Sequence, residues 1–278
     1  MLSPVARGTG GAAPGAGRGR RHDHDAGGAA ELLAAKAELR EQVWAAMGAA
    51  KVARFPGAAG RIPNFVGAER AAQRLRETAA WQRASRLKAN PDAAQWPVRQ
   101  RALEDGKLLL MAVPRLAEPD PFLLLDPDQL ADPPRKASSI KGATRSARRV
   151  PVDALGPLDL VVVGCVAAGT DGARLGKGGG FADLELAVAG EAGLVGPDTV
   201  LATTVHEMQV RPPGEVPTTG HDVPLDLIVT PDRVIDCRAG RGPRLPARIR
   251  WPELTAEKIA AIPLLARLRP DGSTEGGS

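Results

Sequence analysis

The residues of this chain whose types and spacing could do chemistry gather in one segment, Asp171-Gly172-Ala173-Arg174-Leu175-Gly176-Lys177-Gly178-Gly179-Gly180-Phe181-Ala182-Asp183. Four glycines in the five positions 176–180 let the backbone turn its N–H groups toward an anion without side-chain clashes. Arg174 and Lys177 add fixed positive charge, which a bare turn does not need. A helix expected to start at Phe181 would aim its N-terminal amides at the same place. Asp183, in the first turn of that helix, has the right chemistry to hold a magnesium ion bridging phosphates. The competing reading is a surface turn whose aspartate merely favours the helix start. Glycines, two cations and a position at a strand end together favour an anion site, with a nucleotide phosphate as the first candidate. The spacing fits neither the Walker A loop nor the Rossmann fingerprint.

Such a loop needs a scaffold, and the hydrophobic pattern supplies one. Leu158 to Val163 is a near-continuous, β-branched apolar run, as expected of a strand buried on both faces. Further strands are predicted at 107–113, 122–125, 200–205 and 225–230, with a short one at 234–235. Helical periodicity marks 31–50, 67–81, 98–105, 181–192 and, interrupted at Pro263, 253–268. Residues 88–97 read as a polar, proline-bracketed loop and 131–150 as a basic, polar stretch. Strands alternating with helices predict an α/β fold, a three-layer α/β/α arrangement around a mostly parallel sheet. The predicted division is a structureless Gly/Ala/Arg-rich tail at 1–29, one domain at 30–268 and a structureless end at 269–278.

Composition narrows the class. No apolar run among the 278 residues approaches the roughly 20 needed to span a bilayer, and the N-terminus has no apolar leader, so a cytoplasmic protein is expected. Net charge is +5, tyrosine is absent and aromatics make up 3%, which argues against a stacking platform for single-stranded nucleic acid. The two cysteines, Cys165 and Cys237, read as reduced thiols, and Cys165 as a small buried hydrophobe. His206 reads as a structural histidine, and His22-Asp23-His24-Asp25 as part of a solvated tail.

The glycine segment resembles the G-x-R-L-G-x-G-x-G-Y-Y-D signature of the 5-formyltetrahydrofolate cyclo-ligase family. It matches at Gly172, Arg174, Leu175, Gly176, Gly178, Gly180 and Asp183, with Phe181 and Ala182 in place of the two tyrosines. Three other blocks agree in order. Lys36-Ala37-Glu38-Leu39-Arg40 resembles the family's K-x-x-L-R element, and Asp105-Gly106-Lys107 through Pro114-Arg115 its G-K strand. Gln209, the run His221 to Asp226 and Thr230 resemble its closing element. The likeness covers roughly 31–235 and is nearest to the divergent branch of methenyltetrahydrofolate synthetase domain-containing proteins.

The resemblance implies an ATP- and Mg2+-dependent conversion of 5-formyltetrahydrofolate to 5,10-methenyltetrahydrofolate, by a monomer or small homo-oligomer. It implies that Lys36, Arg40, Arg174, Leu175, Gly176, Lys177, Gly178, Gly179, Gly180 and Phe181 bind ATP, with Arg174 and Lys177 acting in catalysis. Asp183 and Asp222 would hold magnesium. The chain departs from the pattern on the folate side. Ala93-Ala94-Gln95-Trp96 stands where the family carries a glutamate, and basic residues replace its E-P element. Gln95 and Trp96 are then the candidates for holding the folate, with Arg99 or Arg101 for its glutamyl carboxylate. Two rivals are a paralogue acting on another, thiamine-linked heterocycle and a non-catalytic nucleotide or RNA module using the basic segment 135–149.

Overall fold

The structure is a computed structural model that describes residues 20–113, 116–118, 120–219, 222–239, 241 and 247–270. The tail expected at 1–29 lies outside the described residues up to 19, as do Pro114-Arg115, His221 and residues 271–278. Residues 20–29, expected as tail, are helical. Helix α1 runs Arg20–Ala49, well N-terminal of the predicted start at Glu31. Once the apolar stripe of Leu39, Val43 and Met47 is packed, each further turn is added to an existing nucleus and needs no new one.

The expected second helix is two, α2 at Ala68–Arg76 and α3 at Ala79–Arg83, broken where the Thr78 hydroxyl caps α3 by accepting from Trp81 N–H. The segment read as a polar loop begins instead as strand β1, Arg86–Ala89, which pairs on both sides. Lys88 hid it, because a charged residue at a central position masks the apolar run. Next come α4 at Trp96–Glu104, β2 at Leu108–Ala112 and β3 at Phe122–Leu125. The basic stretch is not a loop either. It forms α5 at Pro134–Ala137, α6 at Ile140–Ser146 and edge strand β4 at Arg148–Val150. Strand β5 is Leu160–Val162, followed by β6 at Ala167–Gly169 and β7 at Arg174–Leu175. Helix α7 spans Phe181–Glu191, followed by β8 at Val200–Thr204, β9 at Val210–Arg211, β10 at Leu227–Val229 and β11 at Val234–Asp236. Helices α8, Ala256–Ala260, and α9, Pro263–Leu268, close the chain.

Eight strands form one sheet in the order β11-β10-β8-β5-β1-β2-β3-β4. Its five central strands, β10 to β2, are mutually parallel, and the edges are antiparallel. Alternation along the strands sorts the core. Leu109, Met111, Leu160 and Val162 face α2 and α4, whereas Leu110, Ala112, Val161 and Val163 face α7 and α9. The architecture is therefore the expected α/β/α sandwich with a mostly parallel sheet. From β1 the chain moves one way to β2, β3 and β4, then returns to lay β5 on the other side of β1. The β1/β5 boundary is the topological switch point, where the carboxyl ends of strands leave a crevice for ligands.

Candidate functional site

A cavity of about 420 Å³ opens at that boundary, within the size range of small-molecule sites. Asn90 and Asp92 follow β1 and Gly164 follows β5, so the carboxyl ends of both strands line it. Lys177, Gly180 and Asp183 line the opposite side. Ile62, from the loop after α1, completes the wall.

The glycine segment is built differently from expectation. It does not follow β5 directly. A small sheet in the order β7-β6-β9 intervenes, with Asp171-Gly172 at the tip of the β6–β7 hairpin. Residues 176–180 then form the loop that enters α7. Gly178 (φ 109°) and Gly180 (φ 65°) occupy the left-handed region that a side chain resists, so the loop's path depends on glycine there. Gly180 is the N-cap of α7, and the first turn of that helix lies on the cavity wall.

Arg174 was expected among the residues that bind ATP and act in catalysis. It is a strand residue 4% exposed, and it does not line the cavity. Its pairing across the hairpin turns it inward, where one guanidinium nitrogen donates to Asp183 and the other two are buried without partners. Arg174 thus fixes the Asp183 carboxylate at the cavity edge. Leu175 is core, packed with Leu39, Val43 and Phe65. Lys177 is half exposed, and its ammonium lies 3.7 Å from the Asp92 carboxylate. One turn apart on α1, Arg40 donates to the Gly176 carbonyl at 2.7 Å and Lys36 pairs with Asp222 at 2.9 Å. Arg40 braces the loop from outside the cavity.

The two expected magnesium ligands each have a cation partner. Asp222 accepts from Lys36 and from Thr219 N–H, and Asp183 accepts from Arg174. Val223, next to Asp222, shares a smaller depression with Asp183, so the structure brings the two segments to one side of α7. Among the described residues no group of three or more His, Cys, Asp or Glu could hold a metal.

On the folate side none of the four expected residues, Gln95, Trp96, Arg99 and Arg101, lines the cavity. Gln95 is fully buried and donates to Thr204. Trp96 turns away from the cavity, its indole N–H on Arg135 O and Ser138 Oγ. Arg99 is also not available for a ligand carboxylate. It is 2% exposed and donates to the carbonyls of Ser138, Asn90 and Asp92, and burial pushes its pKa down to about 10. Its contribution is to hold the Asn90–Asp92 wall in place. Arg101 faces α2, bonded to Gln73.

The sequence reading missed two of the four charged residues that line the cavity, Asp92 and Glu185. Asp92 supplies a carboxylate on the segment where none was expected. Glu185, from α7, lines the cavity and is held by Lys88 Nζ at 2.8 Å and Asn90 Nδ2 at 3.0 Å. Helix α8 brings Lys258 within 5.5 Å of the Phe181 ring, adding a cation beside the helix start. A carboxylate one turn into α7 and a lysine inside a strand were the available signals. His206 is structural, its Nδ1 accepting from Met208 N–H. Both cysteines are free and buried, and burial pushes the Cys165 thiol up to about 11, far from a reactive thiolate. Two basic residues of 135–149, Lys136 and Arg145, share the single carboxylate of Asp132.

Burial raises the Asp92 carboxyl above its ordinary 3.8, outweighing the opposing fields of Lys177 and Arg99. A group that holds its proton more tightly when folded stabilises the fold fully below its unfolded value, and that contribution is lost as pH rises through the folded value. Asp92→Asn, neutral throughout, should raise the thermal midpoint at neutral pH and flatten its dependence just above pH 3.8. A lowered midpoint at neutral pH would show that the Lys177 pairing outweighs the burial.

A family model described as the 5-formyltetrahydrofolate cyclo-ligase family matches residues 32–231. The chain is 39% identical over 237 residues to the methenyltetrahydrofolate synthase domain-containing protein of Bos taurus, covering 84% of this chain and 62% of the relative. It is 36% identical to the protein of the same name from Homo sapiens, covering 84% of this chain and 61% of that one. The chain thus spans about three fifths of these relatives' length. Among solved structures it is similar to Aquifex aeolicus 5,10-methenyltetrahydrofolate synthetase, at 19% identity and a TM-score of 0.49, covering 74% of this chain and 95% of that one. No helix among the described residues is long and apolar enough to cross a membrane.

Proposed function

This chain belongs to the 5-formyltetrahydrofolate cyclo-ligase family, and on that premise we propose that it is an ATP- and magnesium-dependent ligase converting 5-formyltetrahydrofolate to 5,10-methenyltetrahydrofolate. The observation that carries this reading is the switch-point cavity, walled by a cationic glycine loop on one side and by carboxylates on the other. In the proposed reaction the formyl oxygen takes the γ-phosphoryl group of ATP and ADP leaves. A second folate nitrogen then attacks the activated carbon, and phosphate departs with the former formyl oxygen. Little covalent chemistry falls to the protein, so positioning and charge neutralisation are its tasks.

Lys177 and the amides of the loop and first turn of α7 would lie against the phosphates, while Arg40 holds the loop's shape. Asp183, oriented by Arg174, would hold magnesium, which when bound neutralises charge on the phosphates. Asp222 would join only once Lys36 turns from it toward a phosphate. The names of the relatives point the same way.

The test is the absorbance of methenyltetrahydrofolate formed from 5-formyltetrahydrofolate, with ATP and magnesium each omitted in turn. Product that needs both supports the reading. ATP binding without product would move the substrate to another heterocycle.

A further inference from the structure

Helix α7 has a second hollow on its other side. Ala182 and Glu185 face the switch-point cavity, Leu184 and Ala187 face a depression of about 190 Å³, and Asp183 stands between the two. The far wall of the depression carries Arg248, Arg250 and Lys258. These belong to the segment 247–258, beyond the residues 32–231 that the family model matches. The segment is seated on α7 by close contacts. A Cβ at Gly190 would overlap the Ala247 carbonyl, so glycine is what lets the two backbones meet. Glu191 takes the Arg248 guanidinium at 2.8 Å and the Ile249 N–H at 3.3 Å, and Ile249, Ile262 and Leu265 are core.

The charges around the depression differ in how they are matched. Arg248 is taken up by Glu191, and the Asp183 carboxylate is held by Arg174. Lys258 has no carboxylate partner among the described residues, and its ammonium stands 5.5 Å from the centre of the Phe181 ring. Thr255 Oγ1 accepts from the Lys258 N–H at 3.2 Å, which fixes the start of α8 and the place from which the lysine projects. A Cβ at Gly180 would lie 3.2 Å from the ammonium, which puts the charge beside the N-cap of α7. No side chain caps that helix. A helix start carries partial positive charge, so a lysine beside it is repelled unless an anion stands between them. Arg174 Nε and Nη1, buried without partners, add unmatched charge behind the same turn.

We propose that the depression is a second oxyanion site, separate from the switch-point cavity, which holds a phosphate or carboxylate group between Lys258 and the first amides of α7. An ammonium and backbone amides are donors only, so together they suit a group that accepts on every side. Lys258 is then a binding residue supplied by a segment outside the matched residues, and it acts apart from Lys177, which lines the other cavity. The naming of sources rests on the proposed reaction, whose reactants carry both chemistries, phosphates on ATP and glutamyl carboxylates on the folate. The site itself does not depend on that reading.

Calorimetric titration of the full chain at low salt tests this, with inorganic phosphate and p-aminobenzoylglutamate as probes. The second carries the glutamyl carboxylates without a pterin. Wild type should bind at least one probe with a component that Lys258→Gln weakens by about tenfold or more, the size of a hydrogen bond to a charged group. Lys258→Arg, which keeps the charge, should retain that component, and Lys177→Ala should leave it unchanged. The thermal midpoint should hardly move, because the Lys258 side chain is half-buried. Loss of phosphate alone assigns the site to phosphates, loss of p-aminobenzoylglutamate alone to glutamyl carboxylates, and loss of both to either group. Unchanged affinities in Lys258→Gln, equal loss in Lys258→Arg, a component that also follows Lys177, or a wild type that binds neither probe overturns the proposal. Turnover decides the cyclo-ligase reading separately. A Lys258-dependent anion in a chain that forms no methenyltetrahydrofolate would refute that reading and leave this one standing.

Discussion

Replacing Lys88 with methionine should lower the stability of the protein by about 3–5 kcal/mol, the usual cost of removing one partner from a buried ion pair. Lys88 sits on β1 at the centre of the sheet with a fully buried side chain, and its ammonium is 2.8 Å from Glu185. The pair itself adds little net stability, because removing two charges from water offsets their attraction. Losing the lysine alone is different, since Glu185 would keep its charge in the interior with only Asn90 to solvate it. Guanidinium denaturation should show a lower midpoint at an unchanged slope, the mark of altered stability without altered compactness. Adding Glu185→Leu to the same chain should recover most of the loss, because a well-packed apolar pair is commonly as stable as a buried ionic one. A single-variant loss under about 1 kcal/mol would mean that Glu185 readily takes up a proton or water, and is less firmly held than the geometry implies.

The second large effect is on binding and should leave stability almost untouched. Lys177→Ala should weaken ATP by about tenfold to a hundredfold, the value of a charge-assisted contact to phosphate. Lys177 is half exposed, and its pairing with Asp92 spans 3.7 Å. Exposed ion pairs contribute about 0–1 kcal/mol, so the thermal midpoint should barely move. Arg174→Ala makes the instructive contrast. Arg174 is buried against Asp183, so its removal should lower the midpoint as well as any activity that depends on Asp183. Calorimetry showing unchanged ATP affinity in Lys177→Ala, with an intact fold, would reduce the glycine loop to a structural turn.

Local signals in the sequence determined a good deal of this protein. Apolar runs at Leu108–Ala112, Leu160–Val162 and Val200–Thr204 announced the buried parallel strands, because a strand covered on both faces has no polar side to hide. The ordered motifs carried the family, read over roughly 31–235 and matched over 32–231. The glycine loop and the start of α7 were legible too, since backbone conformations open to glycine leave a compositional trace.

Only the tertiary structure decided which charges face the cavity. Strand β1 was missed because Lys88 breaks its apolar pattern, and that lysine is tolerable there solely because α7 lays Glu185 across the sheet, 97 positions along the chain. Arg174 belongs to the motif yet points inward, because its hairpin partner sets which face it takes. Asp92 appeared to lie in a solvated loop until the carboxyl ends of β1 and β5 placed it opposite Lys177. Motif and periodicity are properties of neighbouring residues, whereas a charge's partner and solvation are set by segments that meet only in the folded chain.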